Sequence, residues 1–302
     1  MTGTEQLIER LTQEGISLRE YEPLKRHTTF RIGGPARLFC LPQTEAQLVR
    51  TVELCRMLDI RFYLLGKGSN TLFCDEGYDG AVILAGAGLD RVEQMGEGVL
   101  CAGCGTPLAQ LCKTAEQAGL SGLEFAYGIP GSVGGAIYMN AGAYGGEMKD
   151  VVCWVRCLTR EGEIVTLSAD RLGLDYRTSR FEKEGGVILA AGFALHSAPR
   201  EEIRARMEDF LSRRTAKQPL DKPSAGSTFK RPQGAFAAAL IEQCGLKGYR
   251  VGDAAVSEKH SGFVVNLGNA TATDVLAVAS DVARIVEEKT GIRLEKEIRV
   301  VR

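Results

Sequence analysis

Tyr127-Gly-Ile-Pro-Gly-Ser-Val-Gly-Gly-Ala-Ile-Tyr-Met-Asn-Ala-Gly-Ala-Tyr-Gly145 is the stretch on which the reading of this chain turns. Gly128, Gly131, Gly134, Gly135, Gly142 and Gly145 lack a Cβ, so the backbone can take φ > 0 and approach a ligand to van der Waals contact. The composition predicts a loop whose amides form the binding surface, with Pro130 removing one donor and fixing a turn. Ser132, Asn140 and the N–H groups between them suit an anion-binding concavity, and a diphosphate fits that description. The alternative on composition alone is a glycine-rich surface loop. The interleaved Ile129, Val133, Ile137, Tyr138 and Met139 argue against disorder.

Upstream of this stretch, residues 36 to 145 alternate strand and helix patterns. Strands are expected at Arg37–Leu41, Phe62–Leu65, Ala81–Leu84 and Val99–Ala102. A helix from Thr44 carries Leu48, Val49, Val52, Cys55 and Leu58. Two more glycine turns follow strand ends, Gly66-Lys-Gly-Ser-Asn70 and Gly103-Cys-Gly-Thr-Pro107, and with the first stretch they can line one extended ligand. Thr106 and Pro107 read as N-cap and first residue of a helix through Leu108, Leu111, Cys112 and Ala115, closed by Gly119. Neither standard nucleotide motif is present. The Walker pattern needs Ser or Thr directly after Lys67, and no Gly-x-Gly-x-x-Gly follows a strand, which disfavours P-loop and Rossmann folds.

At the N-terminus, Thr4 is the expected cap of a short helix carrying Leu7, Ile8 and Leu11 and ended at Gly15, before a strand Ile16–Tyr21. In His27-Thr-Thr-Phe-Arg-Ile-Gly-Gly34, either Thr28, Thr29 and Arg31 face a ligand or a tight turn joins two strands. From Val151 the pattern turns to strands, at Val151–Leu158, Ile164–Leu167 beyond a hairpin-like Glu161-Gly162, and Val187–Leu195. A helix Glu201–Thr215 carries Ile203, Met207, Phe210 and Leu211 on one face. It leads into Gln218-Pro-Leu-Asp-Lys-Pro223, which reads as a domain boundary. Beyond it lie a loop, Ser224–Pro232, helices Ala235–Cys244 and about Thr273–Glu288, and a last strand Ile292–Val301.

The chain's 302 residues can bury a large core and imply two or three domains. A net charge of −1 points away from nucleic acid and anionic membrane as main partners, and toward a small molecule. Met1–Glu14 is polar and acidic rather than basic-then-apolar, and no apolar run approaches the roughly 20 residues that span a bilayer, so a soluble cytoplasmic protein is expected. Nine cysteines, an odd number, fit reduced thiols. Cys101-x-x-Cys104 and Cys153-x-x-x-Cys157 imitate a four-thiolate metal site. The simpler reading is that Cys153, Val155 and Cys157 alternate on the buried face of one strand, while Cys104, between Gly103 and Gly105, need only be small.

Seven segments, in order along the chain, resemble the signatures of one family. They are His27-Thr-Thr-Phe-Arg-Ile-Gly-Gly34, Leu65-Gly-Lys-Gly-Ser-Asn70, Gly128-Ile-Pro-Gly-Ser-Val-Gly-Gly135, Asn140-Ala-Gly-Ala-Tyr-Gly145, Tyr176-Arg-Thr-Ser179, Gly226-Ser-Thr-Phe-Lys230 and Leu294-Glu-Lys-Glu-Ile-Arg299. Over nearly its whole length the chain resembles the UDP-N-acetylenolpyruvoylglucosamine reductases, the MurB flavoenzymes of bacterial peptidoglycan synthesis. The resemblance implies an α+β fold, with an FAD-binding domain of the p-cresol methylhydroxylase/vanillyl-alcohol oxidase type made of two α+β subdomains and a C-terminal α+β substrate domain. On that reading residues 1–35 pack on the FAD domain, 36–217 form it (subdomains about 36–100 and 101–217), and 218–302 bind substrate. Little chain separates Phe181 from Val187, as in the shorter class of these reductases, which lacks an extra tyrosine-bearing loop.

The implied reaction is NADPH-dependent, FAD-mediated reduction of an enolpyruvyl UDP-sugar to UDP-N-acetylmuramate. Carried over by motif, FAD contacts fall on Thr29; on Gly66, Lys67, Gly68, Ser69 and Asn70; on Gly103; on Gly128, Ile129, Pro130, Gly131, Ser132, Gly134 and Gly135; and on Asn140, Ala141 and Gly142. Arg177 is implied as the group that stabilises the enolate, Ser227 as proton donor and Glu297 as an assisting carboxylate. Glu295 lies on the same face by the period of two, so the choice between them rests on the family pattern. Tyr176, Lys230 and Arg231 are implied substrate contacts; Arg231 stands where many relatives have Asn, and a guanidinium there can still bind diphosphate. His260, in Ser257-Glu-Lys-His260, is either a further substrate contact or a structural histidine. None of the three histidines lies in Gly66–Asn70 or Tyr127–Gly145, so FAD is expected to be held non-covalently. An FAD oxidase of the same fold, or a flavin- or nucleotide-binding protein without turnover, is the alternative. The trio Arg177, Ser227 and Glu297 argues against a mere binder.

Overall fold

Thr2 starts the first element: its hydroxyl accepts the Glu5 N–H at 3.2 Å and Glu5 Oε2 accepts the Thr2 N–H at 2.7 Å, a reciprocal capping box. The cap falls here rather than at Thr4 because Thr2 has a carboxylate three residues on, where Thr4 has Leu7. The computed structural model describes Thr2–Arg302. Its elements begin with α1 (Gly3–Gln13), β1 (Ser17–Pro23), β2 (Pro35–Leu41), α2 (Glu45–Met57), β3 (Phe62–Leu65), β4 (Thr71–Phe73) and β5 (Tyr78–Leu84). Next come β6 (Val92–Gln94), β7 (Val99–Gly103), α3 (Leu108–Gln117), β8 (Leu120–Ser121), α4 (Val133–Tyr138), β9 (Gly142–Ala143) and β10 (Gly146–Glu147). They continue with β11 (Val152–Leu158), β12 (Ile164–Ser168), α5 (Arg180–Glu184), β13 (Val187–Ala194), β14 (His196–Ser197) and α6 (Arg200–Lys217). The last are α7 (Ala237–Gln243), β15 (Arg250–Val251), β16 (Ala254–Val256), β17 (Val264–Asn266), α8 (Ala272–Thr290) and β18 (Arg299–Val301).

The chain divides into two compact units that do not follow chain order. The first takes residues up to Arg19, Leu38–Lys67 and Gly80–Arg214; the second takes Glu20–Arg37, Gly68–Asp79 and Thr215–Arg302. Relative to a division at residues 35 and 217, residues 20–37 and 68–79 group with Thr215–Arg302. Residues 68–79 belong to the second unit because β4 pairs in parallel with β18, with Leu72 opposite Val300.

In the first unit a five-stranded sheet runs β12-β11-β13-β7-β6, with every neighbouring pair antiparallel. β3 and β5 pair in parallel, Phe62 opposite Ala81. Leu38, Val52, Ile83, Leu100, Leu108, Leu111 and Phe193 meet in one core. Antiparallel pairing on this scale is the α+β arrangement rather than a doubly wound sheet. Cys157 and Val155 are buried as the alternation predicts, but Cys153 is only half-buried. The register of β11 against β13 shifts between Val152 and Trp154, and that irregularity takes Cys153 off the buried face. All nine cysteines are free, and among the described residues no cluster of His, Cys, Asp and Glu forms a metal site. On α6, Ile203 and Met207 are buried while Leu211 is 37% exposed.

In the second unit β15, β16 and β17 form an antiparallel sheet against which α8 buries Val275, Val278, Ala279, Val282 and Val286. The three- and four-residue spacing of those side chains makes one apolar stripe. The expected final strand from Ile292 is shorter than the pattern suggested, since only Arg299–Val301 joins a strand. Ahead of it the chain pairs with a loop: the Lys230 N–H donates to Glu295 O and the Glu297 N–H to Thr228 O, both at 2.8 Å. Among the described residues no helix is long and apolar enough to cross a membrane.

Candidate active site

The first unit gathers Gly66, Lys67, Gly103, the 128–142 stretch and the Tyr176–Arg177 turn. Here the glycine-rich stretch is more than a loop. Its middle is helix α4, which buries Val133, Ala136 and Ile137, and several of its amides are used internally: the Val133 N–H donates to Thr106 O at 2.9 Å and the Gly134 N–H to Cys104 O at 2.8 Å. Gly66 packs on Ser132, whose Oγ would stand 2.3 Å from a Cβ there and would have to turn aside to admit one. That contact joins two of the glycine turns read as one ligand surface. Gly103 closes β7 opposite Ala190, and Pro130, Gly135 and Lys67 are exposed while Ile129 and Ala141 are half-buried.

Asn140 differs from its expected role as an anion-binding side chain. It is fully buried at φ 42, donates from Nδ2 to Glu147 Oε2 at 2.7 Å and to Asp175 O at 3.1 Å, and accepts the Lys149 N–H at 2.9 Å. All its polar capacity but one lone pair is spent inside the protein. Its bond to Asp175 supports the next turn. Asp175 and Thr178 exchange backbone hydrogen bonds at 3.2 and 3.1 Å, leaving Tyr176 and Arg177 at the tip, with Arg177 strained at φ 54. The Arg177 guanidinium lies 5.1 Å from the Tyr176 ring centroid and donates to Gly142 O at 3.4 Å. Tyr176 is 44% exposed.

Two polar atoms show that the 128–135 segment fits a polar group such as FAD. Thr106, expected to cap α3, does not: the helix starts at Leu108, whose N–H donates to Gly131 O at 3.0 Å, and Thr106 Oγ1 is left buried without a hydrogen-bond partner. Pro107 at ψ 135 keeps the backbone extended and takes the cap position. Arg214 Nε is likewise buried without a partner, and a Cβ on Gly128 would lie 3.0 Å from Arg214 Cδ. Burial, partly offset by Tyr144, holds this guanidinium below its usual pKa, so an anion beside it is favoured. The sequence reading missed Arg214, which looks like one more charge on an exposed helix; its signal is a position one turn past the apolar Phe210 and Leu211.

In the second unit Thr29 donates from Oγ1 to Ser224 O at 2.6 Å, and its N–H donates to Gly68 O at 3.1 Å. Thr28 Oγ1 donates to Ile32 O at 3.0 Å, so both threonine hydroxyls of this segment are engaged in the fold. Gly68 at φ 60 would carry a Cβ 2.2 Å from His27 O, which no other residue tolerates. Ser69 is half-buried, and Asn70 Nδ2 donates to Glu297 O at 3.2 Å. Ser227, half-buried, bridges Phe263 in antiparallel fashion beside Gly226 at φ 75.

Glu295 and Glu297, indistinguishable by period, separate by environment. Glu295 is largely exposed and pairs with Lys230 Nζ at 2.6 Å, whereas Glu297 is half-buried and anchored through its carbonyl to Asn70. The Arg231 guanidinium stacks 3.8 Å from the Phe236 ring centroid. His260 accepts the Gly262 N–H on Nδ1 at 3.2 Å and packs edge-on against Phe263 at 5.0 Å; burial lowers its pKa, which favours the neutral ring. Its ring thus sits in the turn that leads to Phe263, the residue that bridges Ser227.

Residues 36–168 match the model of an FAD binding domain, and residues 218–301 match that of the UDP-N-acetylenolpyruvoylglucosamine reductase C-terminal domain. Fold and site therefore define a flavin-dependent oxidoreductase. The chain is 46% identical to the UDP-N-acetylenolpyruvoylglucosamine reductase of Agathobacter rectalis, covering 99% of this chain and 98% of the relative. It is also 46% identical to that of Syntrophomonas wolfei, over 98% of each. Among solved structures, the MurB reductase of Thermus caldophilus superposes with a TM-score of 0.80 at 37% identity, over 95% of this chain and 99% of the other. The chain belongs to the UDP-N-acetylenolpyruvoylglucosamine reductase family.

Proposed function

We propose that this chain is the NADPH-dependent, FAD-containing reductase that converts UDP-N-acetylglucosamine enolpyruvate to UDP-N-acetylmuramate, and that Arg177, Ser227 and Glu297 carry its chemistry. The observation behind the activity is the match at 46% identity along 99% of the chain to a reductase of that name. FAD, when bound, supplies the hydride chemistry. Thr29, the Gly66–Asn70 turn, Gly103 and the 128–142 segment would hold it, with Arg214 added from its buried, unpaired Nε.

What the chain itself must manage is charge and a proton. Hydride addition to the enolpyruvyl β-carbon leaves carbanion character on the α-carbon, delocalised into the carboxylate as a dianionic enolate. Arg177 supplies a fixed positive fork to that carboxylate, held at the tip of its turn by Tyr176 and Gly142 O. Ser227 donates the proton: its hydroxyl is a weak acid, but the enolate carbon is a strong base. Glu297 orients or shares that proton, and its backbone is fixed by Asn70.

The substrate is thus a small-molecule UDP-sugar, and with net charge −1 no nucleic-acid partner is invoked. Nine free thiols suit a cytoplasmic setting. The test is direct: purified protein should show a flavin absorption band, and anaerobic NADPH oxidation beyond one equivalent of flavin should require the enolpyruvyl UDP-sugar. A chain that stays colourless after reconstitution with FAD removes this reading.

A further inference from the structure

Tyr144 stands where the backbone disfavours it. β9 and β10 pair Ala143 with Gly146 and Gly142 with Glu147, so Tyr144 and Gly145 alone form the loop of this hairpin. Both have positive φ, 54 and 88, the pattern of a type I′ turn, in which Asn-Gly is the favoured sequence. Nothing lies within 4 Å of a Cβ built on Gly145, so the demand for glycine there is conformational rather than steric. A bulky tyrosine in the left-handed region is strained. Strain of this kind persists where surrounding contacts hold it and the side chain has a use.

What the Tyr144 side chain does is stack. Its ring lies parallel to that of Phe210, with centroids 4.7 Å apart and 1° between the planes. Phe210 sits on α6, the helix that buries Ile203 and Met207, and packs against the core of the first unit. Tyr144 itself stays 40% exposed, so its ring adds little to that core. The base of the hairpin is held separately: Glu147 Oε2 accepts from Asn140 Nδ2 at 2.7 Å, and Ala141 O accepts the Met148 N–H at 3.0 Å. Gly142 lies between base and tip, and its carbonyl accepts Arg177 Nη2 at 3.4 Å. Phe210, Tyr144, Gly142 and Arg177 thus form one line of contacts from the core to the guanidinium.

We propose that Tyr144 is a positioning residue for Arg177: its stack on Phe210 fixes the tip of the hairpin whose Gly142 carbonyl orients the guanidinium toward the substrate carboxylate. This rests on the role proposed above for Arg177 and deepens it. Tyr144 acts only through the hairpin, and the strained turn is tolerated because asparagine could not make the stack.

The test is Tyr144→Asn in the full-length, FAD-loaded protein. Asparagine suits the turn but cannot stack, so thermal unfolding should stay close to the native temperature, the relieved backbone offsetting the lost ring contact. In stopped-flow traces, flavin reduction by NADPH should keep nearly its native rate. Reoxidation by saturating enolpyruvyl UDP-sugar should fall about 10- to 10²-fold, the scale of a catalytic group misplaced by up to an ångström. Tyr144→Phe, which keeps the ring, should recover most of that loss, and in an Arg177→Lys background Tyr144→Asn should cost little more. Native-rate reoxidation in Tyr144→Asn, equal slowing of both half-reactions, or additive losses in the double variant would each overturn the proposal alone. Native protein that cannot reoxidise its flavin with the UDP-sugar would remove the reductase reading, and Arg177→Lys as fast as native would remove the role of Arg177; either takes the proposal with it.

Discussion

The side chain of Asn70 and the backbone of Glu297, 227 residues apart in sequence, are tied by a hydrogen bond of 3.2 Å from Nδ2 to the Glu297 carbonyl. The Arg299 N–H donates in turn to Asn70 O at 2.9 Å. One asparagine therefore clamps the segment that carries the proposed catalytic carboxylate, from the end of a turn first read as a cofactor contact. Asn70→Ala is expected to lower the rate of sugar reduction by up to about 10²-fold, the effect of loosening a catalytic group by an ångström. Asn70→Asp should be worse, because a carboxylate would face a carbonyl oxygen. Turnover with saturating FAD distinguishes the two, and an aspartate variant as active as the native protein contradicts this role.

Ser227→Ala separates the half-reactions. On the proposed role the hydroxyl serves the enolate carbon alone, so flavin reduction by NADPH should keep nearly its native rate while reoxidation by the UDP-sugar falls by at least about 10²–10⁴-fold. Ser227→Cys should recover part of the loss, as a thiol can deliver a proton from nearly the same place. Stopped-flow traces at the flavin band report both steps. Equal slowing of the two would assign Ser227 to holding the loop.

Asn140→Ala removes three hydrogen bonds from a fully buried position. Leaving their partners unsatisfied is expected to destabilise the protein by about 2–4 kcal/mol. Asn140→Asp sets a second carboxylate where Nδ2 now stands 2.7 Å from Glu147 Oε2, so its deficit should be greater at pH 7 than at pH 5. Thermal unfolding at the two pH values measures this; identical deficits would show that the carboxylates do not meet.

Asp75 accepts hydrogen bonds from the Ala272 N–H at 2.8 Å, the Thr273 N–H at 3.0 Å and Thr273 Oγ1 at 2.8 Å, at the start of α8. Burial raises its pKa, but these bonds together outweigh burial and hold it below the ordinary 3.8. A depressed carboxyl contributes stability above its unfolded pKa and loses that contribution as pH falls through the folded value. Asp75→Asn should therefore lower stability at neutral pH, with the gap closing below about pH 4. A gap that persists unchanged at pH 3 would mean that the charge on Asp75 is immaterial.

Much of this molecule was legible locally. The strand Phe62–Leu65 was read to the residue, and Thr44 was correctly placed as the start of α2, because alternation and capping are properties of adjacent residues. The family, and with it the cofactor and reaction class, was legible because its loops keep their order along the chain. Tertiary structure decided the rest. Glu295 and Glu297 have the same period and charge, and only the Lys230 ion pair and the Asn70 clamp tell them apart. Asn140 reads as a loop asparagine until Glu147, Asp175 and Lys149 are folded around it. Residues 292–298 read as strand because Ile292, Leu294 and Ile298 are interleaved with charged residues, but their hydrogen bonds go to the loop after Ser227 rather than to a sheet. Sequence pattern fixes which groups a segment offers; which partners they meet is set by contacts between residues far apart in the chain, which no local period encodes.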